Sequence, residues 1–159
     1  MQNLVTATSK HVFAVIGREE IQSEPFEDAI EFNYVEDFPK DLVFISISDP
    51  KKPFIKTDGY FYDELKLKFW DVEEQIGNYC PIHHLQAKEI KDFILKHKDR
   101  KFLINCEAGI SRSAGVGCAV EVLTRDIHCE PEPQHVISKI RQHWRYDVNE
   151  TVYKAIIEA

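Results

Sequence analysis

Residues 101–123 read Lys-Phe-Leu-Ile-Asn-Cys-Glu-Ala-Gly-Ile-Ser-Arg-Ser-Ala-Gly-Val-Gly-Cys-Ala-Val-Glu-Val-Leu. The stretch divides into a short apolar strand, a tight loop, and a helix that starts at Arg112 with small residues in its first turns. A strand feeding straight into a helix leaves unpaired N–H groups and the positive end of the helix dipole at the junction, where an anion gains up to about 2 kcal/mol if partly buried. Cys106, Arg112 and Ser113 all fall there. Arg112 adds a planar fork that suits two oxygens of one anion. The same field favours the thiolate of Cys106, which is the nucleophilic form. Gly109 permits the turn inside the loop and lets neighbouring N–H groups face inward. The Ser113 hydroxyl can donate a hydrogen bond to the sulfur.

Before this stretch, strands and helices alternate. His11 to Ile16 is a β-branched and aromatic run closed by Gly17, and it predicts a strand. Phe26, Ile30 and Tyr34 recur every four residues within Arg18 to Tyr34, which predicts a partly helical segment with Ser23 as cap and Pro25 in its first turn. Leu42 to Ser48 is a second strand, apolar enough at its start to be buried on both faces, and Asp49-Pro50 closes it. Lys51 to Asp63, with Pro53, Gly59 and several aromatics, is read as loop. Leu65 to Phe69 alternates apolar and basic residues, as a strand with one wet face would.

Trp70 and Asp71 come just past that strand, with Glu73 and Glu74 beyond. A carboxylic acid on a loop beside the thiol can protonate a departing oxygen, an effect of typically ~10²–10⁴-fold. Ala87, Ile90, Phe93 and Ile94 give the stretch from about His83 to Lys98 an amphipathic helical pattern, with His83, His84 and Gln86 as surface or cap residues. The helix from Arg112 to about Arg125 is apolar nearly all round, so it is expected to be buried, with Gly115 and Gly117 allowing close packing. Val136, Ile137, Ile140 and Trp144 mark a further helix. Val152, Ile156 and Ile157 mark a last one behind an Asn149 cap. The pattern predicts an α/β fold with a mainly parallel central sheet flanked by helices on both faces.

Composition bounds the function. With 159 residues, 43% of them hydrophobic, the chain suffices for one core; residues 1–10 are expected to be flexible and 11–159 to form a single domain. A net charge of −7 argues against a sequence-independent grip on nucleic acid or an acidic membrane. The cluster Lys96, Lys98, Arg100 and Lys101 is read as a solvated helix end. Four cysteines without paired short spacing, and no apolar leader or spanning run, predict a reduced, cytoplasmic protein. Cys80, His83 and His84, or His128 and Cys129, lack a second matched pair at zinc spacing, so neither metal nor cofactor is expected.

Cys106, five residues, Arg112 and Ser113 together resemble the signature loop of the cysteine-dependent protein tyrosine phosphatase superfamily. The wording Cys-Glu-Ala-Gly-Ile-Ser-Arg-Ser-Ala-Gly is most similar to its small dual-specificity branch. Residues Tyr146 to Val152 also resemble the segment before that branch's closing helix, with Val148 where Pro often stands. His usually precedes the nucleophile in the family; Asn105 takes its place here and can still hydrogen-bond to loop backbone.

The resemblance implies a phosphomonoester hydrolase acting on a phosphorylated protein or peptide through a phosphocysteine. Cys106 would be nucleophile, Arg112 and the N–H groups of Glu107, Ala108, Gly109, Ile110, Ser111 and Arg112 would hold the phosphate, Asp71 would be the general acid, and Ser113 would steady the leaving thiolate. Glu73 and Glu74 stand in reserve for Asp71. Two rivals are an RNA 5′-triphosphatase-like enzyme, disfavoured because the loop itself carries no extra cation, and a non-catalytic phosphate-binding pseudophosphatase module, raised by Asn105.

Overall fold

The computed structural model describes residues 11–22, 35–124 and 147–159. Four strands, β1 (Val12–Ile16), β2 (Val43–Ser48), β3 (Asp63–Lys68) and β4 (Phe102–Asn105), form one sheet in the order β1-β4-β2-β3, every pair parallel. Helices are α1 (Glu19–Gln22), α2 (His84–Lys96), α3 (Arg112–Leu123) and α4 (Glu150–Glu158). The α/β architecture with a parallel sheet is as the sequence predicts.

The two faces are covered differently. Val43, Ile45 and Ile47 of β2 and Phe102 and Ile104 of β4 pack with residues of α2, α3 and α4 into one core cluster. Phe44 and Leu103 face the other way, joining Ile16, Ile21, Phe38, Ile55 and Phe61 in a second. On that second face the described cover is α1, a 3₁₀ turn at Val35–Asp37 and the segment holding Ile55 and Phe61. The helical pattern at Phe26, Ile30 and Tyr34, with its Ser23 cap, lies outside the described residues. So do residues 1–10, the helix of Val136 to Trp144, the pair His128 and Cys129, and Tyr146.

The predicted elements shift by a residue or two at their ends. Asp63, read as loop, opens β3, and its register against Val43 continues to Lys68 beside Ser48. The alternation in β3 turns Leu65 and Leu67 toward the first core cluster, but the other face is not fully wet, because Lys66 Nζ donates to the Ile55 carbonyl and Thr57 Oγ1, and all six residues are half-buried. β2, by contrast, is buried from end to end. The helix α2 begins with His83 as cap, its Nδ1 accepting from the Leu85 N–H at 3.1 Å while Gln86 Oε1 accepts from the His83 N–H at 2.9 Å. Two orphan donors of the first turn are thereby satisfied.

Helix α3 is buried from Arg112 to Val122. A Cβ on Gly115 would lie 2.7 Å from the Asn149 carbonyl oxygen, so the close packing expected there is made against the start of α4. Cys118 is part of the core. Among the described residues, no helix is long and apolar enough to cross a membrane.

Candidate functional site

Parallel pairing puts the carboxyl ends of all four strands along one edge of the sheet. Gly17 and Arg18 leave β1 there, Cys106 leaves β4, Asp49 leaves β2, and Phe69 to Asp71 leave β3. This edge is where open α/β sheets collect ligands. The central β4 delivers the thiol between the two flanking exits.

The loop after β4 is locked from below. Gly109 has φ of +72°, and a Cβ there would fall 2.3 Å from the Gly17 nitrogen and 2.4 Å from the Ile16 carbonyl carbon. A Cβ on Gly17 would in turn meet the Ala108 oxygen at 2.8 Å. The loop rests backbone to backbone on the end of β1, which requires glycine on both sides of the contact.

Three loop carbonyls accept from partners outside the loop. Glu107 O accepts from Arg18 N–H at 2.9 Å, Ile110 O from Asp147 N–H at 3.0 Å, and Ser111 O from Asn149 N–H at 3.1 Å. Across a planar trans peptide the N–H opposes the carbonyl, so the N–H groups of Ala108, Ser111 and Arg112 point away from those partners. The Gly109 N–H reaches Cys106 Sγ at 3.3 Å. Ser113 Oγ lies 3.0 Å from the same sulfur. Cys106 is 2% exposed, so its sulfur sits at the bottom of the loop beneath the first turn of α3.

Arg112 is buried, and among the described residues Nη1 anchors it. Nη1 donates to the Phe69 carbonyl at 2.7 Å and lies 2.8 Å from Asp49 Oδ1. Nε is buried and, among the described residues, left without an acceptor, at the N-terminus of a twelve-residue helix whose N-cap Ser111 makes no side-chain cap bond.

Asn105 is held between two partners. Its Oδ1 accepts from Ser46 Oγ at 2.7 Å and its Nδ2 donates to the Cys106 carbonyl at 3.0 Å. The hydrogen bond to loop backbone expected of Asn105 is thus made, to the thiol residue's own carbonyl. Ser46 carries no signal in the sequence beyond its place in a strand; its partnership follows from the β2–β4 register, which sets Ser46 beside Asn105.

Asp71 is brought to the loop as well. Its Oδ1 accepts from Ser111 Oγ at 2.8 Å and from Asn149 Nδ2 at 3.0 Å, and Asp71, Ser111, Asp147 and Asn149 border one open cleft. Glu73 and Glu74 are exposed; the Glu73 backbone oxygen accepts from Thr151 Oγ1 at 3.0 Å, and among the described residues neither side chain makes a hydrogen bond or ion pair with the loop. Asn149 also caps α4, accepting from the Val152 N–H at 3.1 Å. Sequence pattern identifies the cap and misses the contact to Asp71.

Glu107 faces away from the thiol. Arg18 Nη1 and Lys52 Nζ each lie 3.3 Å from its carboxylate, and the Asp49 N–H donates to it at 3.1 Å. Two cations from distant segments thus reach the loop, a feature invisible in the loop's own wording, and both are paired. Ala108 and Ile110 are exposed on the rim.

No protein-family model matches the chain, and no curated protein does. Solved structures do. Tk-PTP in the active form superposes with a TM-score of 0.52 at 18% identity, covering 75% of this chain and 80% of that one. The human tyrosine phosphatase-like serine/threonine/tyrosine-interacting protein gives 0.50 at 17% identity over 75% and 76% of the two chains. PTPMT1 in complex with PI(5)P gives 0.52 at 14% over 74% and 75%. With a parallel sheet that delivers Cys106, Arg112 and Asp71 to one edge, the chain has the fold of the tyrosine phosphatase structures.

Proposed function

We propose that this chain is a cysteine-dependent phosphomonoester hydrolase of the protein tyrosine and dual-specificity type, working in the cytoplasm on phosphorylated proteins or peptides. The observation that carries the reading is the buried Arg112, whose Nη1 is committed to Phe69 and Asp49 while its Nε has no acceptor among the described residues, six residues after a buried thiol. A tetrahedral dianion is the ligand that matches this donor set.

Cys106 Sγ attacks phosphorus as a thiolate, and the bond to the leaving oxygen breaks as Asp71 delivers its proton there. Arg112 and the inward N–H groups hold the equatorial oxygens throughout. Water then attacks the phosphocysteine and gives its proton to Asp71. The P–S bond breaks with Ser113 Oγ donating to the sulfur, which releases phosphate and restores the thiolate. Asp71 Oδ1 is engaged by Ser111 and Asn149, which leaves Oδ2 to carry the transferred proton.

Asn105 in place of the family's histidine favours a second reading, a phosphate-binding module without turnover. One experiment separates them: hydrolysis of an aryl phosphate by wild type and Cys106→Ser, with vanadate as inhibitor. The proposal requires hydrolysis that is vanadate-sensitive and lost in Cys106→Ser. Vanadate binding with no Cys106-dependent hydrolysis establishes the module, and neither binding nor turnover overturns both.

A further inference from the structure

We infer that Asp49 is the positioning residue for Arg112, so that the first residue after β2 sets the direction in which the guanidinium fork faces the anion. This rests on the reading of the site as a phosphate cradle. Sequence pattern assigns Asp49 only the closing of a strand before Pro50, and no part of the mechanism above uses it. Its position argues for more. Asp49 Oδ1 lies 2.8 Å from Arg112 Nη1, and the Asp49 N–H donates to Glu107 Oε2 at 3.1 Å. A single residue outside the loop therefore grips its second residue by backbone and its seventh by side chain.

The geometry of a guanidinium explains why the gripped nitrogen matters. Nη1 lies on the side of the fork nearest the side-chain stem, and Nε with Nη2 forms the opposite edge, which pairs side-on with two oxygens. Asp49 and the Phe69 carbonyl both take Nη1, so the protein's own acceptors consume the nitrogen that this edge does not need. Without Asp49 the fork would keep one neutral acceptor at Nη1 and would be free to swing about it. A carboxylate also compensates the burial of Arg112, whose side chain is 5% exposed, and an uncompensated buried cation is strongly disfavoured. Asp49 itself is anchored, because its carbonyl accepts from the Lys52 N–H at 3.0 Å in the turn that follows β2. Ser48, before it, is held in register with Lys68.

The test is the affinity of the full chain for vanadate, with the thermal midpoint measured alongside. In Asp49→Asn, which keeps an oxygen acceptor and loses the charge, vanadate affinity should fall on the order of tenfold; in Asp49→Ala, on the order of a hundredfold. Asp49→Glu should recover part of the loss. If Asp49 acts through Arg112, Asp49→Asn placed on an Arg112→Ala background should produce no further loss of vanadate affinity. A purely structural Asp49 would lower the midpoint and leave vanadate affinity of the folded protein unchanged, and either that result or an equal, additive loss on the Arg112→Ala background overturns the inference. Should Asp49→Ala not fold, Asp49→Asn with the double-mutant comparison decides. Wild-type protein that binds no vanadate refutes the phosphate cradle itself, and the inference falls with it; wild type that binds with unaffected Asp49 variants refutes only the role of Asp49.

Discussion

Asn149 Nδ2 donates to Asp71 Oδ1 at 3.0 Å across 78 positions of sequence, while Oδ1 of the same amide caps α4. One side chain thus joins the start of the last helix to the carboxylate proposed to move a proton. Asn149→Asp separates the two uses. A carboxylate caps a helix as well as an amide does, but it cannot donate and it repels Asp71. We expect a near-native thermal midpoint with kcat for an aryl phosphate lowered on the order of tenfold, against ~10²–10⁴-fold for Asp71→Asn. The Asp71→Asn loss should shrink for substrates whose leaving group needs no proton. Unchanged kcat in Asn149→Asp would leave the contact with a structural role alone.

Gly109→Ala should be among the most damaging single-methyl changes available. The residue has φ of +72°, and the added carbon would overlap the backbone of Ile16 and Gly17 at 2.3–2.4 Å. Left-handed strain costs about 1–3 kcal/mol before any overlap, so urea denaturation should show a loss of about 3 kcal/mol or more. Anion binding should weaken with it, because the same movement displaces the Gly109 N–H from Cys106 Sγ.

Asn105→Ala should cost stability through what it strands. Ser46 Oγ and the Cys106 carbonyl both lose their partner in a buried place, at about 1–3 kcal/mol for each unsatisfied group. Ser46→Ala on that background should restore part of the loss, which chemical denaturation of the two variants and the pair would reveal. A pair that adds to the sum of the singles would mean the two residues do not share a hydrogen bond that matters.

Acid stability should depend on Asp63. Burial opposes ionisation of its carboxyl, yet the His97 hydrogen bond, the Glu64 N–H and the charges of His97 and Lys96 outweigh this and hold its pKa below the ordinary 3.8. A depressed folded pKa adds stability that is present above the unfolded value and is lost as pH falls through the folded one. Wild type should therefore exceed Asp63→Asn in stability at pH 5, and the two should converge as pH falls below about 4. A difference that grows toward acid would have the wrong sign.

Much of the fold was legible because its signals are local. Apolar runs marked β1, β2 and β4, helical periodicity marked α2, and Asn149 marked the start of α4. β3 was half legible: Leu65 and Leu67 announced a strand with a core-facing side, but alternation assumes one open face, and the segment at Ile55 and Thr57 partly covers the lysine side. At the site, the spacing of Cys106, Arg112 and Ser113 is a local property of a loop and one helical turn. The partners of those residues are not. Ser46 lies 59 positions before Asn105 and Asp49 58 before Glu107, and Asn149 enters from the far end of the chain; nothing in a strand's serine or a cap's amide specifies which long-range partner it will meet.

The order of residues alone determined that a thiol, a guanidinium and a hydroxyl share one strand-to-helix junction, since the chain's own turn and the 3.6-residue helical repeat bring them together. Tertiary structure decided which edge of Arg112 remains open and which carboxylate meets the loop. Those outcomes depend on strand order and register in a parallel sheet, where β4 lies between β1 and β2 and the ends of all four strands converge. Such pairings are set by packing between segments far apart in the chain, and no short stretch of sequence contains them.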